Sequence, residues 1–268
     1  MRLPAILTLL IGLWPGVVQA ITLRGSTTCL PIVQRALEVY VQKRPRAEVQ
    51  IAGGGSGTGI KALLEGTVEA AMSSRPMKPR ERRLARERGL HVEEFPFALD
   101  AIAVIVHPSN PTEGLTLEQI RDLFSGRIAN WKALGGPARR VVVVSRESSS
   151  GTFECFQHRV MGRLRVTPWA LLGSANATVL QMVSQTPGAI GYVGLGYLRP
   201  TVKVLKVGGV FPSEETVRNG TYPLVRPLYI YTRGEPQGAL REFLEFLLGP
   251  QGQRVVREQG FIPIRPSR

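Results

Sequence analysis

Apolar positions along this chain recur with two periods that alternate. Ile21 to Arg24 is a short strand-like run, after which Leu30, Val33, Leu37 and Val41 repeat at helical spacing until Pro45. Val49 and Ile51 alternate with polar neighbours as a strand. A helix follows from about Thr58 to Glu65, stopped by Gly66, and Glu69 to Ser73 reads as the next strand. Ala101 to Val106 is almost continuously apolar, as in a strand covered on both faces, and Val141 to Val144 is a second such run. Between them, Thr116 and Gln119 fit a capping box opening a helix from Leu117 to Phe124. Ser174 caps a helix running through Val183, closed by Pro187 and Gly188. Ala189 to Val193 and Leu228 to Thr232 read as strands, and Leu240, Phe243, Leu244 and Leu247 lie on one face of a late helix. Strand–helix alternation of this kind predicts an α/β fold, and two sets of βα units predict two lobes around a cleft.

Three connections in this pattern carry the same chemistry, and each follows a strand. The first is Gly25-Ser26-Thr27-Thr28, whose hydroxyls and amides can donate to an oxyanion. The second runs from Gly53 to Gly59 and offers Ser56, Gly57 and Thr58 at the start of a helix, where free N–H groups and the helix dipole favour an anion. Arg146, Ser150, Gly151 and Thr152 form the third, with a guanidinium able to give two parallel hydrogen bonds to one oxyanion edge. Any one of them reads as an ordinary capped turn. Three together point to one shared oxyanion site outside the carboxyl ends of the strands. The glycine-rich loop lacks the Gly-Lys-Ser/Thr ending of a Walker A loop, because Ile60 and Lys61 follow Gly59, and it lacks the dinucleotide spacing.

Composition adds a compartment and removes some functions. Met1-Arg2, an apolar run from Leu3 to Val18 and Val18-Gln19-Ala20 match a cleavable secretory signal peptide over residues 1–20. The formal charge of +14 invites anionic partners. The densest basic stretch, Lys78 to Arg88, is interleaved with glutamates rather than aromatics and reads as a solvated helix ended by Gly89, so nucleic acid is not expected as a partner. Cys29 and Cys155 are the two cysteines. They read as separate packed thiols by default, and a bridge between two ligand loops stays open on spacing alone. His91, His107 and His158 are scattered and no nucleophile–base pair or metal-ligand spacing is present, so the chain is read as a binding protein with no catalytic residues, no metal and no cofactor.

The strings GSTTCLP, GGGSGTGIKALLEGTVEAAMSSRP, ALDAIAVIVHPSNP, LTLEQIRDLFSGRIANW, VVVVSRESSSGTFE, PGAIGYVGLGYL and FLEFLLGPQGQ with GFIPI give this chain its resemblance to the periplasmic phosphate-binding proteins of ABC-type phosphate importers, from about Ile21 to Ile264. The resemblance implies a two-lobed periplasmic binding protein of type II-like α/β fold, with two crossing segments and the ligand cleft between lobes. Its expected organisation is residues 21–97 as the first part of lobe 1, 98–225 as lobe 2 with the crossing segments, and 226–268 returning to lobe 1. It implies a periplasmic monomer that binds inorganic phosphate and delivers it to an ABC-type permease in the inner membrane. The phosphate contacts it implies fall on Thr27, Thr28, Ser56, Arg146, Ser150, Gly151 and Thr152. Ser74 stands where better-known members carry an aspartate that accepts the phosphate proton. Asp100 is expected to supply that acceptor, with Glu147 the weaker candidate. The alternatives are another oxyanion, such as sulfate, molybdate or tungstate, or a phosphate sensor or scavenging module.

Overall fold

The computed structural model describes residues 21–44 and 49–264, so the expected signal peptide lies outside the described residues. The first half of the chain forms β1 (Ile21–Gly25), α1 (Leu30–Lys43), β2 (Val49–Ala52), α2 (Ser56–Glu65), β3 (Ala70–Ser73), α3 (Pro79–Glu87), β4 (Val92–Val106), β5 (Gly114–Leu115) and α4 (Leu117–Ser125). It continues with β6 (Val142–Arg146), α5 (Gly151–Phe156), β7 (Leu171–Gly173), α6 (Asn176–Gln185), β8 (Ala189–Gly194), β9 (Lys203–Val204) and β10 (Lys206–Val207). The last part is α7 (Glu214–Arg218), β11 (Val225–Arg233), α8 (Gly238–Leu248), α9 (Pro250–Glu258) and β12 (Ile262–Pro263). No helix among the described residues is long and apolar enough to cross a membrane.

The main sheet runs β2-β1-β3-β11-β4-β8-β6-β7. Its two ends are parallel βα units: β1 pairs in parallel with β2 and β3, and β6 pairs in parallel with β7 and β8. The middle is antiparallel. There β4 pairs with β11 from Val92 to Ala101 and with β8 from Ile102 to Val106, so one long strand serves both halves. Only its apolar end, from Ala101, is visible as a strand in the residue pattern. The upstream residues alternate weakly and contain Pro96, which the strand accommodates beside a register shift opposite Leu228 and Tyr229. The expected lobe boundaries at 97/98 and 225/226 fall inside β4 and at the start of β11.

Each half buries its own core. Ile32, Val33 and Ala36 of α1 meet Phe243 and Leu247 of α8, Val256 of α9 and Leu228 of β11. On the other side, Ile120 and Phe124 of α4 pack with Phe156, Trp131 and Tyr192. The Phe156 and Tyr192 rings stack 4.1 Å apart, and Phe124 sits 4.6 Å from Phe156. These cores fix the strand ends, and the strand ends carry the loops. The helix α4 opens with the expected capping box: Thr116 accepts from the Gln119 amide and Gln119 accepts from the Thr116 amide.

Candidate functional site

All three glycine- and hydroxyl-bearing connections lie at the carboxyl ends of parallel strands: β1 to α1, β2 to α2, and β6 to α5. The sequence folds them tightly. Gly55 has φ +95°, and a Cβ there would meet the Ser149 carbonyl at 2.6 Å. Ser26 accepts the Thr28 amide at 3.1 Å, and Ser150 caps α5 by accepting the Phe153 amide at 3.3 Å. A hydroxyl that accepts from its own loop keeps its proton to donate elsewhere. Ser56 accepts the Ser74 amide at 3.0 Å and lies 3.4 Å from the Ser74 hydroxyl, which ties the β2–α2 and β3–α3 connections together.

These connections meet across the cleft. The Thr28 and Thr152 hydroxyls are 3.0 Å apart, Arg146 Nη2 donates to Thr27 Oγ1 at 3.3 Å, and the Gly57 amide donates to the Ser149 carbonyl at 3.0 Å. Gly151 sits so close to the opposing loops that a Cβ would lie 2.2 Å from Ser56 Oγ and 2.7 Å from Ser74 Oγ. Ser26, Thr28, Ser56, Ser74, Asp100, Arg146, Ser150 and Thr152 are all buried. Burying so many polar groups without function is costly, because each needs a partner.

Arg146 is held on one edge and open on another. Its Nε donates to the Gly173 carbonyl at 2.8 Å, and its Nη2 donates to the Ser174 carbonyl at 3.0 Å and to Glu147 at 3.0 Å. Its Nη1 is buried with no hydrogen-bond partner among the described residues. Glu147 is therefore engaged as the partner of Arg146.

Two expected members stand apart from this cluster. Thr58 lies two residues beyond Ser56 on α2, which turns its side chain away. It lines an outer groove of about 1300 Å³ with Lys61, Leu84 and His158. Gly57 lines the same groove, and its amide is spent on the Ser149 carbonyl. Asp100 is in the cluster but engaged otherwise than expected. Its Oδ2 accepts Nε and Nη2 of Arg226 at 3.0 and 2.8 Å, and its Oδ1 accepts the Leu195 amide at 2.9 Å. Burial pushes its carboxyl above the usual range, against the pull of that guanidinium. An acceptor already serving three protein donors is poorly placed to take a ligand proton.

Sequence reasoning missed two residues that the fold brings in. Asn176 Nδ2 donates to Thr28 Oγ1 at 3.0 Å while its Oδ1 accepts the Gly194 amide at 3.2 Å. Arg226 Nη2 also reaches Thr28 Oγ1, at 3.4 Å. The signal for Arg226 was present: Asp100 and Arg226 are opposite charges set directly beside apolar runs, and buried charges must pair. Asn176 begins a match to the glycosylation pattern, but it is fully buried and hydrogen bonded. Both cysteines are free, and burial pushes the Cys29 thiol up to about 12, which leaves it inert.

A family model described as a PBP superfamily domain matches residues 14–251. Among curated proteins, the chain is 32% identical over 247 residues to the phosphate-binding protein PstS of Bacillus subtilis, covering 91% of this chain and 81% of that protein. It is 34% identical over 263 residues to PstS of Pseudomonas aeruginosa, covering 90% of this chain and 81% of that one. A solved structure of an ABC transporter substrate-binding protein with bound phosphate, from Clostridium perfringens, superposes with a TM-score of 0.86 at 33% identity, covering 92% of this chain and all of that one. An ABC-type phosphate transport receptor from Vibrio cholerae gives 0.76 at 31% identity, over 92% of this chain and all of that one.

Proposed function

From the premise that the chain belongs to the PBP superfamily, among its phosphate-binding PstS proteins, we propose that it binds inorganic phosphate and hands it to an ABC-type import permease. One observation carries the reading: three hydroxyl-bearing loops from separate strands meet one another, and one of them carries a buried guanidinium with a donor to spare. Thr27, Thr28, Ser56, Arg146, Ser150, Gly151 and Thr152 are the proposed phosphate contacts. Ser26 and Ser74 shape the loops that present them. Each hydrogen bond to a charged partner contributes about 1.5–3 kcal/mol, so several outweigh the cost of stripping water from one small anion.

The rest of the reading follows from that role. The protein works outside the cytoplasm as a monomer, exported by its leader, with lobes divided near residues 97/98 and 225/226. It closes on its ligand, docks on the permease, and performs no chemistry on phosphate. A second reading, capture of a fully deprotonated oxyanion such as sulfate, is favoured by the commitment of Asp100 and Glu147 to arginines.

Competition dialysis with labelled phosphate against sulfate, arsenate and molybdate, alongside a phosphate-ester hydrolysis assay, tests the proposal. One saturable phosphate site without ester turnover is expected. Tight binding of sulfate or molybdate with no uptake of phosphate would replace the reading.

A further inference from the structure

We infer that Arg226 is a second guanidinium ligand for the anion, aimed by Asp100 in the way Glu147 and the Gly173 and Ser174 carbonyls aim Arg146; this rests on the phosphate reading above. Arg226 is 2% exposed and Asp100 fully buried. The pair is formed on one edge of the guanidinium only, with Nε and Nη2 both donating to Oδ2. The remaining proton of Nη2 reaches Thr28 Oγ1. On a planar guanidinium that outer proton lies parallel to the neighbouring proton of Nη1, so the Nη1–Nη2 edge faces the Thr28 side of the cleft. Nη1 is buried with no hydrogen-bond partner among the described residues, as is Nη1 of Arg146. A buried guanidinium N–H without an acceptor is destabilising, and two of them opening on one hydroxyl cluster call for an anion between them.

Thr28 fixes the meeting point. Its oxygen accepts from Asn176 and from Arg226, which uses both lone pairs, so its own proton goes to the facing Thr152 hydroxyl. Thr152 Oγ1 lies 3.0 Å away on the facing loop. An oxyanion that takes the place of Thr152 as the acceptor of that proton also meets the free Nη1 of Arg226. In this arrangement Asp100 is a positioning residue: it neutralises and orients Arg226 and accepts nothing from the ligand.

The test is calorimetric titration of inorganic phosphate into the wild type and into the charge-balanced double variant Asp100→Asn/Arg226→Gln, with phosphate-free melting of both. The double variant should fold and bind about ten- to hundredfold more weakly. Unchanged affinity in a folded double variant would overturn the assignment while leaving the phosphate reading intact. A wild type that takes up no phosphate sinks both. Should the double variant not fold, a crystal structure of the wild type with phosphate decides. A phosphate oxygen within hydrogen-bond distance of Arg226 Nη1 supports the inference, and an Nη1 facing only protein or water refutes it.

Discussion

Arg75 and Arg226 are both buried guanidiniums that face carboxylates, yet their surroundings differ in one respect. Every nitrogen of Arg75 lies close to a protein oxygen, although Nε and Glu154 Oε2 form an ion pair without the alignment of a hydrogen bond. Nη1 and Nη2 fork onto Glu81 at 2.8 and 2.7 Å, Nη1 also donates to the Pro76 carbonyl, and Nε pairs with Glu154 at 2.8 Å. Lys78 adds a second cation to Glu154, which belongs to α5 on the facing side of the cleft. Arg226 and Arg146 are instead held along one edge and left with a free, buried Nη1. Charges that satisfy one another act as a clasp between loops. Charges with a donor left over are built to meet a ligand.

Breaking the ligand side should cost most. Arg146→Met removes a buried cation and strands Glu147. We expect phosphate affinity to fall by about 2–5 kcal/mol, measured by calorimetry. Gly151→Ala comes next. The added methyl collides with Ser56 and Ser74 only when the loops meet, so affinity should drop by about 1–3 kcal/mol while phosphate-free melting changes little. A loss of phosphate-free stability matching the loss of affinity would show that the contact is merely structural.

The clasp should respond more weakly and in a different observable. Glu154→Gln leaves Arg75 its fork with Glu81, so the cost is about 1–2 kcal/mol, and it should appear as faster phosphate release in stopped-flow displacement. Equal release rates in the variant and the wild type would remove Glu154 from the closing contact. Smallest is the pH effect at Glu81. Burial alone would raise its carboxyl, but the hydrogen bonds from Arg75 and the Lys78 amide bring it below the usual glutamate range. Its stabilising contribution is thus present above the ordinary glutamate pKa and lost as pH falls through the depressed one. The melting difference between wild type and Glu81→Gln should be present at neutral pH and vanish in acid.

Much of the scaffold was legible because local rules decide it. Thr116 and Gln119 announced α4, Gly66 ended α2, and each anion loop followed a strand. Legibility stopped where partners are distant in sequence. Thr28 meets Asn176 of α6 and Arg226 of β11 only once the whole sheet has formed and the two halves face each other, and no periodicity encodes that meeting. Thr58 stands apart from the cluster for the opposite reason. Loop composition showed a hydroxyl, but only the turn of α2 decides which way it points. The helix α9 was missed because Pro250 and Gly252, set among glutamines, hide its apolar face, Val255 and Val256.

Titration of inorganic phosphate into the mature wild type and into Arg146→Lys, by calorimetry under identical salt, tests the central claim most directly. The account predicts a single site per chain in the wild type and a weakening of at least about tenfold when the fork becomes a point charge. Equal affinity in the two proteins, or no heat from phosphate in the wild type, would contradict it.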